Sequence, residues 1–397
     1  MGASRVPEAA RKIEVLASAD VVVAGGGVAG CAAAVAATRA GARTVLLERF
    51  GYLGGLATGG LVIWYVVMDD GKGRVVAGGL ASEFLRRTED LGGVEALDPA
   101  WREGRWPESG RLLPAFSPEA AKRALDEVVV ESGAEIVFHV LAADPIIADG
   151  RIAALAVETK CGRYAIKGRF FVDATGDADL AVRAGAPVAE SENTLSCWFR
   201  VGGVPGAFGP MTGLALGLFG DPDGPSAITG MDVRALSKWE LDARAAAWRR
   251  LEEMKRERPG WEGAYILDTP TQPDVRRTRR IRGLAEVGER DAGGDVAGCI
   301  GLAADWRHEN SPPGVWRIPY RALVPRAGPA NLLAAGRCVS AEGGAWDVLR
   351  VIAPCAVTGE AAGLAAALLA REDAIACTDL DEEKLRAGLA EAGAVLD

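Results

Sequence analysis

The chain has 397 residues, enough for a sizeable core and for two domains rather than one. Hydrophobic residues make up 49% and charged residues 25%, the balance of an ordinary soluble globular protein. A formal net charge of −9 argues against a nucleic-acid coat, which needs a basic surface for its phosphate contacts.

Residues 1–20 contain no long apolar run, so neither a signal peptide nor a membrane anchor is expected. The most apolar late segment, 351–370, is interrupted by Pro354, Thr358 and Glu360 and reads as a buried helix rather than a membrane span. The seven cysteines (Cys31, Cys161, Cys197, Cys299, Cys338, Cys355 and Cys377) are scattered, with no CxxC spacing. No metal site, iron–sulfur run or redox disulfide is therefore expected, and free thiols point to a reducing cytoplasm.

In chain order, the valine-rich residues 20–24 predict a short buried strand. Gly25, Gly27 and Gly30 follow as G-x-G-x-x-G and open an alanine-rich helix over 28–40, ended by Gly41. The first glycine permits the tight turn, the second the approach of a pyrophosphate and the third close helix–strand contact. A second strand over 44–47 ends at Glu48, 21 residues after Gly27, where a carboxylate can accept from ribose hydroxyls. Strand, glycines, helix and acid together predict a site for an ADP-containing dinucleotide. Leu53-Gly54-Gly55, with Ala57 and Thr58, forms a small-residue turn that lets a flavin or ribityl chain lie against backbone.

A helix over 118–132 and a strand over 135–141 return the chain to the sheet. His139 sits inside that strand as a structural residue. Residues 151–172 read as a small antiparallel meander with its turn at 161–163. Residues 171–177 (FVDATGD) run a strand into a second glycine turn, and 331–337 (NLLAAGR) do so again. Between them lie strand-like residues 194–201 and an amphipathic helix over 232–257, with Leu236, Trp239, Ala243, Ala247, Leu251 and Met254 at helical spacing.

Arg276, Arg277, Arg279, Arg280 and Arg282 form a dense basic run. As a strand it places Arg276, Arg280 and Arg282 on one face, either to grip a substrate carboxylate or to form structural ion pairs. His308, in the polar loop DWRHENSPPG, is a candidate base or substrate-binding group and equally a surface-loop residue. Tyr320 and Arg321 are candidates to border a flavin. Cys31, Cys338 and Cys355 read as small buried packing residues.

The segments DVVVAGGGVAG, ERFGYLGGLATGGLV, FFVDATGDADLA, VRRTRRIRG, WRIPYRALVP, NLLAAGRCVSA and VLRVIAPCAVTGEAAGLAAA resemble, in order and over nearly the whole chain, the FAD-dependent oxidoreductase family. That family lies within the two-dinucleotide-binding-domain flavoproteins, related to HdrA-like proteins and more distantly to fumarate reductase flavoproteins. The resemblance implies an α/β protein: a Rossmann-like FAD-binding domain with an inserted α+β substrate domain. The expected division is 1–60, 115–185 and 326–397 for the FAD domain and 61–114 and 186–325 for the substrate domain. The implied cofactor-binding set is Gly25, Gly27, Gly30, Glu48, Arg49, Gly54, Gly55, Ala57, Thr58, Val140, Ala174, Thr175, Gly176, Gly336, Arg337 and Pro354. Arg350 and the N-terminus of the last helix would stabilise an anionic reduced flavin.

The expected activity moves a hydride between flavin N5 and a small-molecule substrate, with a carboxylate as one class, and His308, Arg276 and Arg350 as catalytic candidates. The alternatives are a flavin subunit that passes electrons to an iron–sulfur partner and a non-catalytic dinucleotide-binding scaffold. The family commonly carries a histidine after the CVSA segment. Gly343 stands at the matching place, which excludes a covalent flavin link there. No nucleic-acid or membrane partner is expected, and the sequence leaves the oligomeric state open.

Overall fold

The structure, a computed structural model, describes residues 6, 9–95, 97–107, 110–191, 195–205, 214–219, 230–307 and 314–397. The fully buried strand β1 (Val21–Ala24) leads into α1 (Val28–Arg39), nearly all of whose residues are buried. Strand β2 (Thr44–Glu48) follows, and then α2 (Gly79–Asp90) and α3 (Pro118–Ser132). Helix α3 starts where Ser117 accepts from the Ala120 N–H, has Pro118 in its first turn and stops at Gly133 in the left-handed region. Next come β3 (Glu135–Phe138) and β4 (Phe170–Asp173), with an antiparallel meander between them.

That meander runs through Leu141–Ala148, Arg151–Thr159 and Gly162–Lys167. It therefore begins ten residues before the expected start at 151, and 170–173 belong to the parallel sheet instead. His139 is also not inside a strand. It lies in the left-handed region at φ 58°, in the bend between β3 and the meander.

Helix α4 (Asp179–Arg183) leads out of β4 toward the substrate part, which contains α5 (Val233–Glu257). Helix α5 is capped by Asp232, whose carboxylate accepts from the Arg234 and Ala235 N–H groups. It buries Trp239, Ala243, Ala247, Leu251 and Met254 of the stripe that the spacing predicts, while Leu236 is only half-buried. The chain then supplies β5 (Leu332–Ala334), α6 (Gly343–Leu349), α7 (Ile352–Arg371) and α8 (Glu382–Glu391).

The central sheet is parallel throughout, in the order β5-β4-β1-β2-β3. Its middle strand carries three valines, as suits a strand covered on both faces. Helices α1 and α7 run side by side along it. Helix α7 has the length and composition of a membrane span, yet almost all of it is buried inside the molecule, so it is an interior helix. Residues 61–114 share this core through Phe84, Trp101 and Leu112. Val287, Trp316 and Ile318 of 186–325 join the same core, and the division we propose remains 1–60, 115–185 and 326–397 for the FAD domain and 61–114 and 186–325 for the substrate domain.

Two features of α7 have measurable consequences. A Cβ at Gly363 would lie 2.0 Å from the Ala33 carbonyl oxygen of α1. Helix propensity alone favours Gly→Ala by about 1 kcal/mol. Here the clash outweighs it, and Gly363→Ala should lose about 2–4 kcal/mol in urea unfolding. The second feature is Glu360, buried on α7, whose Oε2 accepts from the Leu80 N–H at 2.9 Å. Burial pushes its pKa up to about 7. An acid with a raised folded pKa stabilises the fold below its unfolded value and loses that contribution as pH rises through 7. Glu360→Gln should therefore match the wild type near pH 5 and exceed it by about 1–3 kcal/mol at pH 8.5, read by chemical denaturation at both pH values.

Candidate active site

The turn between β1 and α1 uses its three glycines differently. Gly25 has φ +105°, and a Cβ there would lie 2.5 Å from the Ala174 carbonyl oxygen. At Gly30 a Cβ would fall 1.7 Å from the Gly25 oxygen, so this glycine brings helix and turn together. Gly27 is different. A Cβ there would meet nothing within 4 Å, and the residue faces an open cleft. No side chain caps α1, so its first N–H groups are available to an anion. At the end of β2, Glu48 accepts from the Gly26 N–H at 2.6 Å and the Phe50 N–H at 2.8 Å. Burial raises its pKa while those backbone bonds pull it down. Its carboxylate is thereby fixed beside Gly27, with lone pairs left for hydroxyls.

The space of the cleft, part of it open to solvent, is about 1050 Å³. Of the residues expected to bind cofactor, Gly25, Gly27, Glu48, Arg49, Gly54, Gly55, Ala57, Val140, Ala174, Thr175, Gly176, Gly336 and Arg337 line it, and so does Arg350. Gly30, Thr58 and Pro354 do not. Gly30 is spent on packing, and Thr58 donates its hydroxyl to the Leu53 carbonyl at 2.6 Å. Pro354 is buried in the first turn of α7, where its carbonyl accepts from Thr358. Val28, Ala29, Leu47, Phe50, Leu56, Leu141, Ala142, Ala335 and Ile352 were missed although they adjoin the motifs. Gln272 was missed for want of any local signal. It reaches the cleft from the substrate part, in contact with Arg49 and Tyr52.

Asp173 ends β4 completely buried, and burial pushes its pKa up to about 6. Its oxygens accept from the Thr175 N–H and hydroxyl and from the Ala181 N–H. This orders the glycine turn and presents Asp177 and Asp179 outward. Asp177 takes the Thr278 hydroxyl at 2.6 Å and pairs with Arg337 at 3.0 Å, while Asp179 pairs with Arg279.

The arginine run is consequently not one strand with two faces. It is broken into Asp274–Val275 and Arg279–Ile281. Arg276 lies 3.3 Å from Asp274 and outside the cleft lining, Arg277 lies 3.7 Å from Asp347, and Arg280 pairs with Glu286 over the Trp346 ring. Arg282 is exposed.

Arg350 ends α6 with its side chain only 13% exposed. Its Nε donates to Asp347 at 3.1 Å, and among the described residues Nη1 and Nη2 have no hydrogen-bond partner. Burial lowers its pKa, opposed by Asp347 and Asp274. Helix α7 begins beside it at Val351, again without a side-chain cap.

His308 lies outside the described residues. Tyr320 and Arg321 do not border the cleft. Tyr320 is buried and donates to the Cys377 carbonyl at 2.9 Å, and Arg321 pairs with Glu382. Cys31 and Cys338 are buried. Cys355 lines the cleft, its thiol facing the Arg350 carbonyl and pushed up to about 12 by burial. Gly343 is exposed at the start of α6, away from the cleft lining.

A family model described as FAD dependent oxidoreductase matches residues 20–208 and 218–389. Among solved structures, a p-nitrophenol 4-monooxygenase from Pseudomonas putida is 12% identical with a TM-score of 0.55, over 95% of this chain and 89% of that one. A geranylgeranyl bacteriochlorophyll reductase-like protein from Thermoplasma acidophilum is also 12% identical, with a TM-score of 0.51 over 95% and 84%. The flavin-dependent brominase Bmp2 is 13% identical, with a TM-score of 0.50 over 94% and 83%. At such identities the likeness is one of fold. The residues present also fit FAD, through an uncapped helix N-terminus at a glycine kept open for phosphate and a fixed carboxylate for ribose. The chain belongs to the FAD-dependent oxidoreductase family, an enzyme family whose cofactor is FAD.

Proposed function

We propose that the enzyme moves a hydride between a small organic carboxylate and N5 of its flavin. The observation that carries this reading is the Arg350 fork, a nearly buried guanidinium in the cleft wall with both terminal nitrogens unpartnered among the described residues. Such a group is costly to bury unless an anion completes it, and a carboxylate matches its planar geometry.

Bound FAD supplies the hydride-accepting or hydride-donating centre. The protein's part is to bind and orient. The first N–H groups of α1, around Gly27, hold the pyrophosphate, and Glu48 takes the ribose hydroxyls. The uncapped first turn of α7 offers a positive dipole end where negative charge builds up on reduction. Arg350 holds the substrate carboxylate. Arg276 acts through Asp274, which adds to the field at Arg350. His308 retains the role of candidate base.

Two variants separate cofactor binding from substrate binding. At Gly27 a side chain would stand in open cleft, so Gly27→Leu should keep the apoprotein's melting temperature within a few degrees. It should weaken FAD binding at least ~100-fold, measured by flavin fluorescence on reconstitution. Arg350→Met should retain bound FAD and raise the carboxylate concentration needed for half-maximal anaerobic flavin reduction by ~10–100-fold. Reduction by carboxylates that is unchanged in Arg350→Met would defeat the assignment.

A further inference from the structure

A loop of the substrate part crosses to the cofactor turns. Both of its ends are fixed on one strand, Leu195–Gly202, where Asp268 lies opposite Arg200 and Asp274 opposite Ser196. Side chains repeat these ties: Arg200 Nε donates to the Asp268 carboxylate at 2.9 Å, and the Ser196 hydroxyl donates to Asp274 at 2.6 Å. The five residues between, 269–273, leave that sheet, with Pro270 and Pro273 restricting the backbone on either side of Thr271 and Gln272. At the tip the Thr271 N–H donates to the Gly59 carbonyl at 2.8 Å, and its hydroxyl meets the Tyr52 hydroxyl at 2.7 Å. Directly after the loop, the Val275 carbonyl accepts from Arg337 of the cleft wall. One short segment is therefore tied to the loop after β2 and to the turn after β5. Gln272, between the two ties, lines the cleft.

The Gln272 side chain is under-used in this position. Its Oε1 accepts from Arg49 Nη2 and its Nε2 donates to the Tyr52 hydroxyl, each at 3.4 Å, the long limit of a hydrogen bond. A second amide N–H and a further carbonyl lone pair are left over. Arg49 follows the ribose acid Glu48, lines the same cleft and lies over the Phe50 ring at 4.8 Å. Among the described residues no carboxylate pairs with it, so amide and guanidinium together offer donors to an anionic, oxygen-rich ligand. We propose that Gln272 is a further FAD-binding residue, donating an amide N–H to the ribose–diphosphate stretch of the cofactor, and that 269–273 is a clasp by which the substrate part retains it. None of these contacts involves Arg350, and the clasp works alike for any substrate.

Gln272→Glu separates a cofactor contact from a purely structural one. The carboxylate keeps the shape, accepts from Arg49 more strongly, can also accept from the Tyr52 hydroxyl, and has no N–H to give. A residue that only held the loop would gain by the change. As an FAD contact, Gln272→Glu should weaken FAD binding ~10–100-fold, read by calorimetry on reconstitution, while the apoprotein's melting temperature stays within a few degrees. Tyr52→Phe removes the hydroxyl shared by Thr271 and Gln272 and leaves the ring. It should speed FAD dissociation ~3–10-fold, followed by flavin fluorescence with an excess of a second apoflavoprotein as trap. Gln272→Glu that binds FAD within about twofold of the wild type overturns the contact, and an unchanged dissociation rate in Tyr52→Phe overturns the clasp. The unaltered protein gives a third reading that misfolding of a variant cannot remove. Added FAD should slow amide hydrogen exchange across 269–275 and change it little in α5, which belongs to the same part but does not line the cleft. No slowing across 269–275, or the same slowing in α5, overturns both.

Discussion

The close packing of α1 against α7 is the constraint on which the rest of the molecule depends. Gly359 and Gly363 of α7 lie against Ala29 and Ala33 of α1, where any Cβ would come within about 2 Å of a carbonyl oxygen. The matched four-residue spacing, ascending on both helices, means that they run parallel. Their N-termini therefore emerge at the same end, although more than three hundred residues separate them. Thr358 adds a polar tie by accepting from the Gly336 N–H at 2.9 Å, which fixes the turn after β5 to the same helix. Two uncapped, positively polarised helix ends thus converge on one cleft, a favourable arrangement for a ligand with anionic groups along its length.

A second set of ties sets where the substrate side stands. The loop after β4 takes its shape from the buried Asp173 and then holds Thr278, Arg279 and Arg337 through Asp177 and Asp179. Arg276 and Arg277 are neighbours of these clamped residues, so their position is referenced to the cofactor loop rather than to a sheet of their own. Most guanidinium groups around the cleft have a carboxylate partner and contribute mainly to rigidity. Arg350 stands apart because its fork is only partly used. An under-satisfied charge at the wall of a cleft is where a ligand's own charge lowers the free energy most.

What could be read from sequence follows the range of the interactions involved. The elements at 21–24, 28–39, 44–48, 118–132 and 233–257 were legible because valine runs, periodic apolar stripes and caps such as Ser117 and Asp232 act within a few residues. The glycine turns were legible for the same reason. The arginine run was not, since Thr278 and Arg279 are drawn to Asp177 and Asp179, about a hundred residues earlier, and this breaks the expected strand. His139 was misplaced because a bend at φ 58° ends the strand in the middle of an apolar stretch. Gln272 had no local signal. Only its contacts with Arg49 and Tyr52, more than two hundred residues away, bring it to the cleft.

The same distinction explains why the cofactor is readable and the substrate is not. FAD is held largely by backbone N–H groups and turns, and the residues that permit them are glycine, alanine and a capping acid in short, ordered motifs. The proposed substrate contact is the single side chain of Arg350, whose setting comes from Asp347 and Asp274 and from no sequence motif. In the proposed reading, a substitution at Arg350 changes what is bound there without touching the contacts of Gly359 and Gly363 with α1.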